Sequence, residues 1–126
     1  MRGSEAGGSG GERRLWHVAL TMGGHRCEPP EVLAAMQRLS EERPFLLAGR
    51  YAADRVELRY WEEADACEDA CALALRLWGE HRRSAGLPAW RALAVEVVER
   101  DTMQARVWER REPSLAAATG WRPFPD

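Results

Sequence analysis

The chain has 126 residues, with eighteen basic and twenty acidic side chains and a formal charge of −2, a length that fits one domain with an ordinary core. No long block of one sign occurs, which argues against a nucleic-acid or anionic-membrane surface, and no apolar run approaches the roughly 18 to 20 residues that span a bilayer. Every basic residue is Arg, and Lys, Ile and Asn are absent, so the arginine content reads as a composition bias rather than a functional signal.

The opening MRGSEAGGSGGERR offers too little apolar surface to offset the entropy of ordering it, so residues 1–12 are expected to be a disordered leader. It lacks the basic-then-apolar order of a signal peptide. Cys27, Cys67 and Cys71 are odd in number and two of them sit four apart in a helical pattern, which does not suit a disulfide framework. Together these features predict a soluble, cytoplasmic protein.

Residues 15–22, LWHVALTM, alternate Trp16, Val18, Leu20 and Met22 with His17, Ala19 and Thr21, the period of a half-buried strand. Gly23 and Gly24 end that strand, and Pro29 or Pro30 suits a first helical turn, where a missing N–H costs nothing. Val32, Ala35, Met36 and Leu39 follow helical spacing until Pro44 stops the run. FLLAGRY and RVELRYW, separated by AAD, read as a hairpin. A tight loop at Ala53 and Asp54 sets Tyr51 opposite Val56, Gly49 opposite Leu58 and Leu47 opposite Tyr60 on an apolar face. The other face then pairs Arg50 with Glu57, Ala48 with Arg59 and Leu46 with Trp61.

DACEDACALALRLWGEHRRS is the clearest helix, with Cys67, Ala70, Cys71, Ala74, Leu77, Trp78 and His81 on one stripe. Acids crowd its start and His81, Arg82 and Arg83 its end, as a helix macrodipole favours. RALAVEVV follows as a strand, with Leu93, Val95 and Val97 inward and Ala94, Glu96 and Val98 outward. Asp101 and Gln104 resemble a capping box, so residues 102–111 are expected to form a short final helix, with a fifth strand as the competing reading. Residues 113–126 carry three prolines and a glycine and are expected to be an irregular tail that Trp121 and Phe124 pin to the body.

The resulting β-α-β-β-α-β order is the ferredoxin-like arrangement over residues 13–112: an α+β sandwich with two helices on one face of a four-stranded antiparallel sheet. Two constellations on it bear chemistry. If the first and third strands run parallel as central neighbours, His25 and Cys27 approach Cys67 and Cys71, four soft ligands of the kind that hold tetrahedral zinc. The blander reading is preferred: helix cysteines behave as small hydrophobes, and TMGGHRC is a strand-to-helix corner. Nor does that stretch match a phosphate-binding glycine loop, and no cofactor is expected.

The open face of the sheet is the preferred site, with His17, Arg50, Glu57, Arg59 and Trp61 as ligand-binding candidates. Arginine outnumbers acid there, which suits a small anionic or carboxylate ligand. Leu46, Trp61 and Val98 are placed outward on this face, an apolar patch expected to make the chain a homodimer. The aromatic residues that stack bases on RNA-binding sheets are missing. Paired ferredoxin-like subunits resemble the cofactor-independent monooxygenase-like, dimeric α/β-barrel architecture, which implies a pocket beside the sheet. However, no nucleophile with a partner at fixed spacing is present, so a ligand- or protein-binding module is the leading expectation and a cofactor-independent enzyme the alternative.

Overall fold

The alternation of residues 14–23 fixes the centre of the fold. In the computed structural model, which describes residues 14–43, 46–102 and 120–125, strand β1 (Arg14–Gly23) runs between two neighbours. On one side it pairs with β3 (Arg55–Ala64) in an antiparallel ladder from Arg14↔Ala64 to Gly23↔Arg55. On the other it pairs with β4 (Arg91–Glu99), also antiparallel. The hairpin strand β2 (Leu46–Tyr51) lies on the far side of β3, and β5 (Gly120–Pro123) lies beyond β2, giving the order β4-β1-β3-β2-β5.

The fold is thus α+β with a five-stranded mixed sheet. The expected four-stranded antiparallel sheet is met only in part, because β5 adds to the edge of β2 in parallel, with Arg50 opposite Arg122 and Tyr51 opposite Pro123. Residues 120–123, expected to be irregular, are therefore a strand. The expected helix over 102–111 lies almost wholly outside the described residues; Arg100–Thr102 are helical. Among the described residues no helix is long and apolar enough to cross a membrane.

Helices α1 (Pro29–Glu42) and α2 (Cys67–His81) bury the stripes that their spacing predicts: Val32, Ala35, Met36 and Leu39 from α1, and Ala70, Ala74, Leu77 and Trp78 from α2. Proline at the first turn of α1 suits a position whose N–H has no helical partner. Residues of both stripes share one core with Val18, Leu20, Met22, Val56, Leu58 and Tyr60, so the even-numbered side of β1 and β3 is the helix side. Cys67 is exposed and Cys71 only partly buried, so the stripe of α2 is narrower than the cysteines suggested. Glu42 Oε1 accepts from Ser84 Oγ at 2.7 Å and meets His81 Nδ1 at 2.7 Å, tying the C-terminal ends of the two helices; these bonds hold its carboxyl below the ordinary range.

Two bulges depart from simple alternation. The hairpin keeps four expected pairs, Tyr51↔Val56, Arg50↔Glu57, Gly49↔Leu58 and Ala48↔Arg59, and then shifts by one so that Leu46 stands opposite Tyr60 rather than Trp61. The expected register of Leu46 with Trp61 is therefore not kept. In β4 the register jumps from Thr21↔Ala94 to Met22↔Ala92, which makes Leu93 the extra residue of a bulge. Expected inward, Leu93 is instead 52% exposed and lies over Gly23, where an added Cβ would stand 2.6 Å from Leu93 Cδ1. The missing side chain at Gly23 makes room for it. Gly23 is also still in the strand, which ends one residue later than expected.

β5 is held by a second glycine. Trp121 packs against the core, its Nε1 donates to Ser40 Oγ of α1 at 2.9 Å, and its ring covers Gly49. A Cβ added at Gly49 would overlap the Trp121 ring and lie 2.7 Å from the Glu57 carbonyl oxygen. Downstream, Phe124 N donates to Tyr51 O at 2.9 Å and the Arg55 guanidinium sits 4.4 Å from the Phe124 ring centre. Gly49→Ala is expected to destabilise the protein by about 1–3 kcal/mol, the usual cost of overpacking, measured as a lower denaturant midpoint and faster hydrogen exchange in β5. Much of that loss should vanish in a Trp121→Ala background; equal loss in both backgrounds would mean the ring is not what the new methyl meets.

Candidate functional site

The odd-numbered residues of β1 point away from the helices. Across the sheet, His17 stands between Trp61 and Val98, Ala19 between Arg59 and Glu96, and Thr21 between Glu57 and Ala94. Glu57 in turn faces Arg50, and Arg50 faces Arg122 of β5. All five residues expected to form the site therefore share this outer face. Arg122 joins them without having been foreseen, because its place depends on a parallel pairing some seventy residues from its partner, which leaves no local pattern.

Within that face the contacts are uneven. The His17 ring meets Trp61 edge-on, with centroids 5.2 Å apart and planes at 76°. Arg59 Nε donates to Glu57 Oε1 at 3.2 Å. Arg50, by contrast, is exposed. His17 itself is only 1% exposed, and among the described residues neither Nδ1 nor Nε2 has a hydrogen-bond partner. Alternation alone gave it a side of the sheet and no reason to be buried. A buried polar group left unpaired costs about 1–3 kcal/mol, and His17 lies on the face that the helices do not cover.

Burial pushes the His17 pKa down to about 4, and the nearby Arg59 charge pushes the same way, while Glu96 and Glu57 oppose it. At neutral pH the imidazole is therefore uncharged, with one nitrogen able to donate and the other to accept. The face thus sets an uncharged imidazole, an aromatic ring and a guanidinium within one patch, with the imidazole itself buried.

The corner at TMGGHRC is held by Trp90. Trp90 Nε1 donates to the His25 carbonyl at 2.8 Å, and Trp90 stacks on Trp78 with centroids 6.1 Å apart. A Cβ at Gly24 would stand 2.6 Å from Trp90 Cδ1, which explains the second glycine. A cleft of about 420 Å³ opens beside it, lined in part by His25, Cys27 and Arg38, but the Arg38 guanidinium is already held by the carbonyls of Ala85 and Gly86.

The four soft ligands are not brought together. The expectation required β1 and β3 to run parallel, and they run antiparallel. α2 therefore begins beside the start of β1, whereas His25 and Cys27 follow its end, about 30 Å away along a ten-residue strand. Among the described residues no group of three or more His, Cys, Asp or Glu is arranged to hold a metal ion.

The His17 environment predicts a pH dependence. Its pKa is about 4 folded and about 6.5 unfolded, so between those values the unfolded chain binds more protons and stability rises with pH. The contribution is complete above about pH 6.5 and is lost on acidification towards 4, on the order of 3 kcal/mol in all. Denaturant titrations across this range should show a smaller acid loss for His17→Phe than for the wild type, and ring NMR should show one histidine still neutral at pH 5. Three histidines titrating near 6.5 would contradict the burial.

Comparison with curated proteins gives no match, and comparison with solved structures gives none either. One family does match, described as Domain of unknown function (DUF8830), over residues 15–114. That span runs from the first residues of β1 through β4 and so takes in the outer face around His17; the chain belongs to the DUF8830 family.

Proposed function

We propose that this protein is a small ligand-binding module, built on a ferredoxin-like core, whose outer sheet face takes a compact carboxylate or other small anion beside His17 and Arg59. The four-strand order β4-β1-β3-β2, with two helices packed on one side, supports the ferredoxin-like reading, with β5 as an addition. The observation that carries the ligand reading is that buried His17, on the side of the sheet away from the helices, has two ring nitrogens with no hydrogen-bond partner among the described residues. A ligand hydroxyl or carboxyl group would satisfy them while Arg59, opposite Ala19, supplies charge.

Binding is preferred to catalysis on a magnitude. A general base works best with a pKa near the operating pH, and a pKa of about 4 leaves His17 a weak base at pH 7. The cofactor-independent enzyme of the dimeric α/β-barrel type therefore stands second. The free thiols of Cys27, Cys67 and Cys71 suit a reducing, cytoplasmic setting.

The module is proposed to act as a homodimer joined over the apolar half of the same face. Val98 is already buried, at 7% exposure, so Trp61 and the bulged Leu93 supply the accessible apolar surface. Sedimentation of the full chain should give twice the chain mass, and Leu93→Glu should return it to one; a wild-type monomer at all concentrations would remove the dimer from the proposal.

The ligand test is thermal. At constant ionic strength, acetate, malate and citrate should raise the melting temperature of the wild type by a few degrees, and Arg59→Ala should abolish the rise while leaving the far-UV spectrum unchanged. No rise, or the same rise in Arg59→Ala, would reduce the face to ordinary solvated sheet, where exposed ion pairs contribute only about 0–1 kcal/mol.

A further inference from the structure

Four arginines lie at the β2–β5 end of the outer face, and two of them are occupied. Arg55 bonds Asp54 Oδ1 at 3.4 Å and covers the Phe124 ring. Arg59 is bonded to Glu57. The remaining two, Arg50 and Arg122, stand directly opposite each other in the parallel β2–β5 ladder. They share a side of the sheet: Trp121 turns inward over Gly49, so its neighbour Arg122 turns outward beside Arg50. Both are exposed, and neither has an ion-pair or hydrogen-bond partner among the described residues.

Like charges directly opposite each other in a ladder are destabilising, and neighbouring strands lie only about 4.8 Å apart. Glu57 is the cross-strand neighbour of Arg50, but its Oε1 is taken by Arg59. The repulsion is also fixed by the fold, because Trp121 on Gly49 sets the register of β5. An otherwise acidic chain thus sets two arginines, neither with an ion-pair partner among the described residues, at one register position of the β2–β5 ladder.

We infer that Arg50 and Arg122 form a clamp for a phosphate monoester, the distal anchor of the ligand whose body lies over Glu57 and Arg59 towards His17. The choice of phosphate follows from the donor count. One arginine fork saturates both oxygens of a carboxylate, whereas a phosphate monoester offers three terminal oxygens and a charge of about −1.5 to −2 at pH 7. Two adjacent guanidinium groups match that charge and geometry. The inference rests on the ligand reading above for the position of the rest of the molecule, though not for the clamp itself.

The test uses the full chain with phenyl phosphate and benzoate as probes, at fixed ionic strength and followed by calorimetry. Phenyl phosphate should bind at least tenfold more tightly than benzoate, and its affinity should fall as pH drops through about 6, where the dianion is lost. Arg50→Gln and Arg122→Gln should each remove most of that preference. Arg59→Ala should weaken both probes and leave their ratio standing, so failure of the carboxylate site and failure of the clamp are read separately.

A second measurement needs no ligand. A double-mutant cycle on stability at low salt should show repulsive coupling between Arg50 and Arg122, with either single variant at least as stable as the wild type. Saturating inorganic phosphate should abolish or reverse the sign. Flotation with phosphatidic acid vesicles identifies the source: co-flotation that depends on Arg122 places the phosphate on a lipid, and its absence places it on a soluble molecule. Equal affinity for the two probes, phosphate binding indifferent to both arginines, or no repulsive coupling would each overturn the clamp.

Discussion

The antiparallel ladder between β1 and β3, from Arg14↔Ala64 to Gly23↔Arg55, is the constraint on which the other features rest. Its parity assigns every central side chain to one of two environments, since a slip of one residue would exchange them all. Val18, Leu20 and Met22 meet the helices together with Val56, Leu58 and Tyr60, and His17, Ala19 and Thr21 are committed to the opposite side. Its direction matters as much as its parity. Because the strands oppose each other, the start of α2 lies by Arg14 and the Gly24–Cys27 corner lies at the far end, beside the Ala53 and Asp54 carbonyls that it bonds. A parallel arrangement would have gathered histidine and cysteines at one end and produced a different protein.

Much of this was readable from residue spacing where the information is local. The stripe of α1 and four pairs of the β2–β3 hairpin follow from periodicity and loop length, because each depends on residues within a turn or a short hairpin. The misplacements share a cause. Leu46 and Leu93 were assigned by extending an alternation through positions where the backbone inserts an extra residue, and a bulge has no reliable signature in a strand rich in Ala, Leu and Val. β5 was unreadable for a different reason: GWRP has neither alternation nor length, and it becomes a strand only because Gly49 leaves a slot for Trp121. The burial of His17 depends on what surrounds a face, and parity says only which face.

The outer face divides into two halves of different character. Around β1 and β4 it carries the buried His17 and Val98 with the more accessible Trp61 and Leu93, and around β2 and β5 it carries arginine with a single bridging glutamate. The division follows the strand order rather than the sequence order, since the cationic half joins residues near 50, near 57 and near 122. A local search for a basic motif finds nothing in this chain for that reason. The pattern exists only after the sheet has assembled.

The bulge at Leu93 has one more effect, on the rim of the sheet. An unpaired strand edge is a template for indefinite stacking of one chain on the next, and β4, nine residues long and rich in Ala, Leu and Val, would otherwise be such a template. An extra residue near its start breaks the even spacing of donors and acceptors and increases the local twist. The opposite rim is blunted by different means: β5 is four residues long and ends in Pro123, which has no N–H to offer. Among the described residues both rims of the sheet are thus poorer templates for edge pairing than a long regular strand would be.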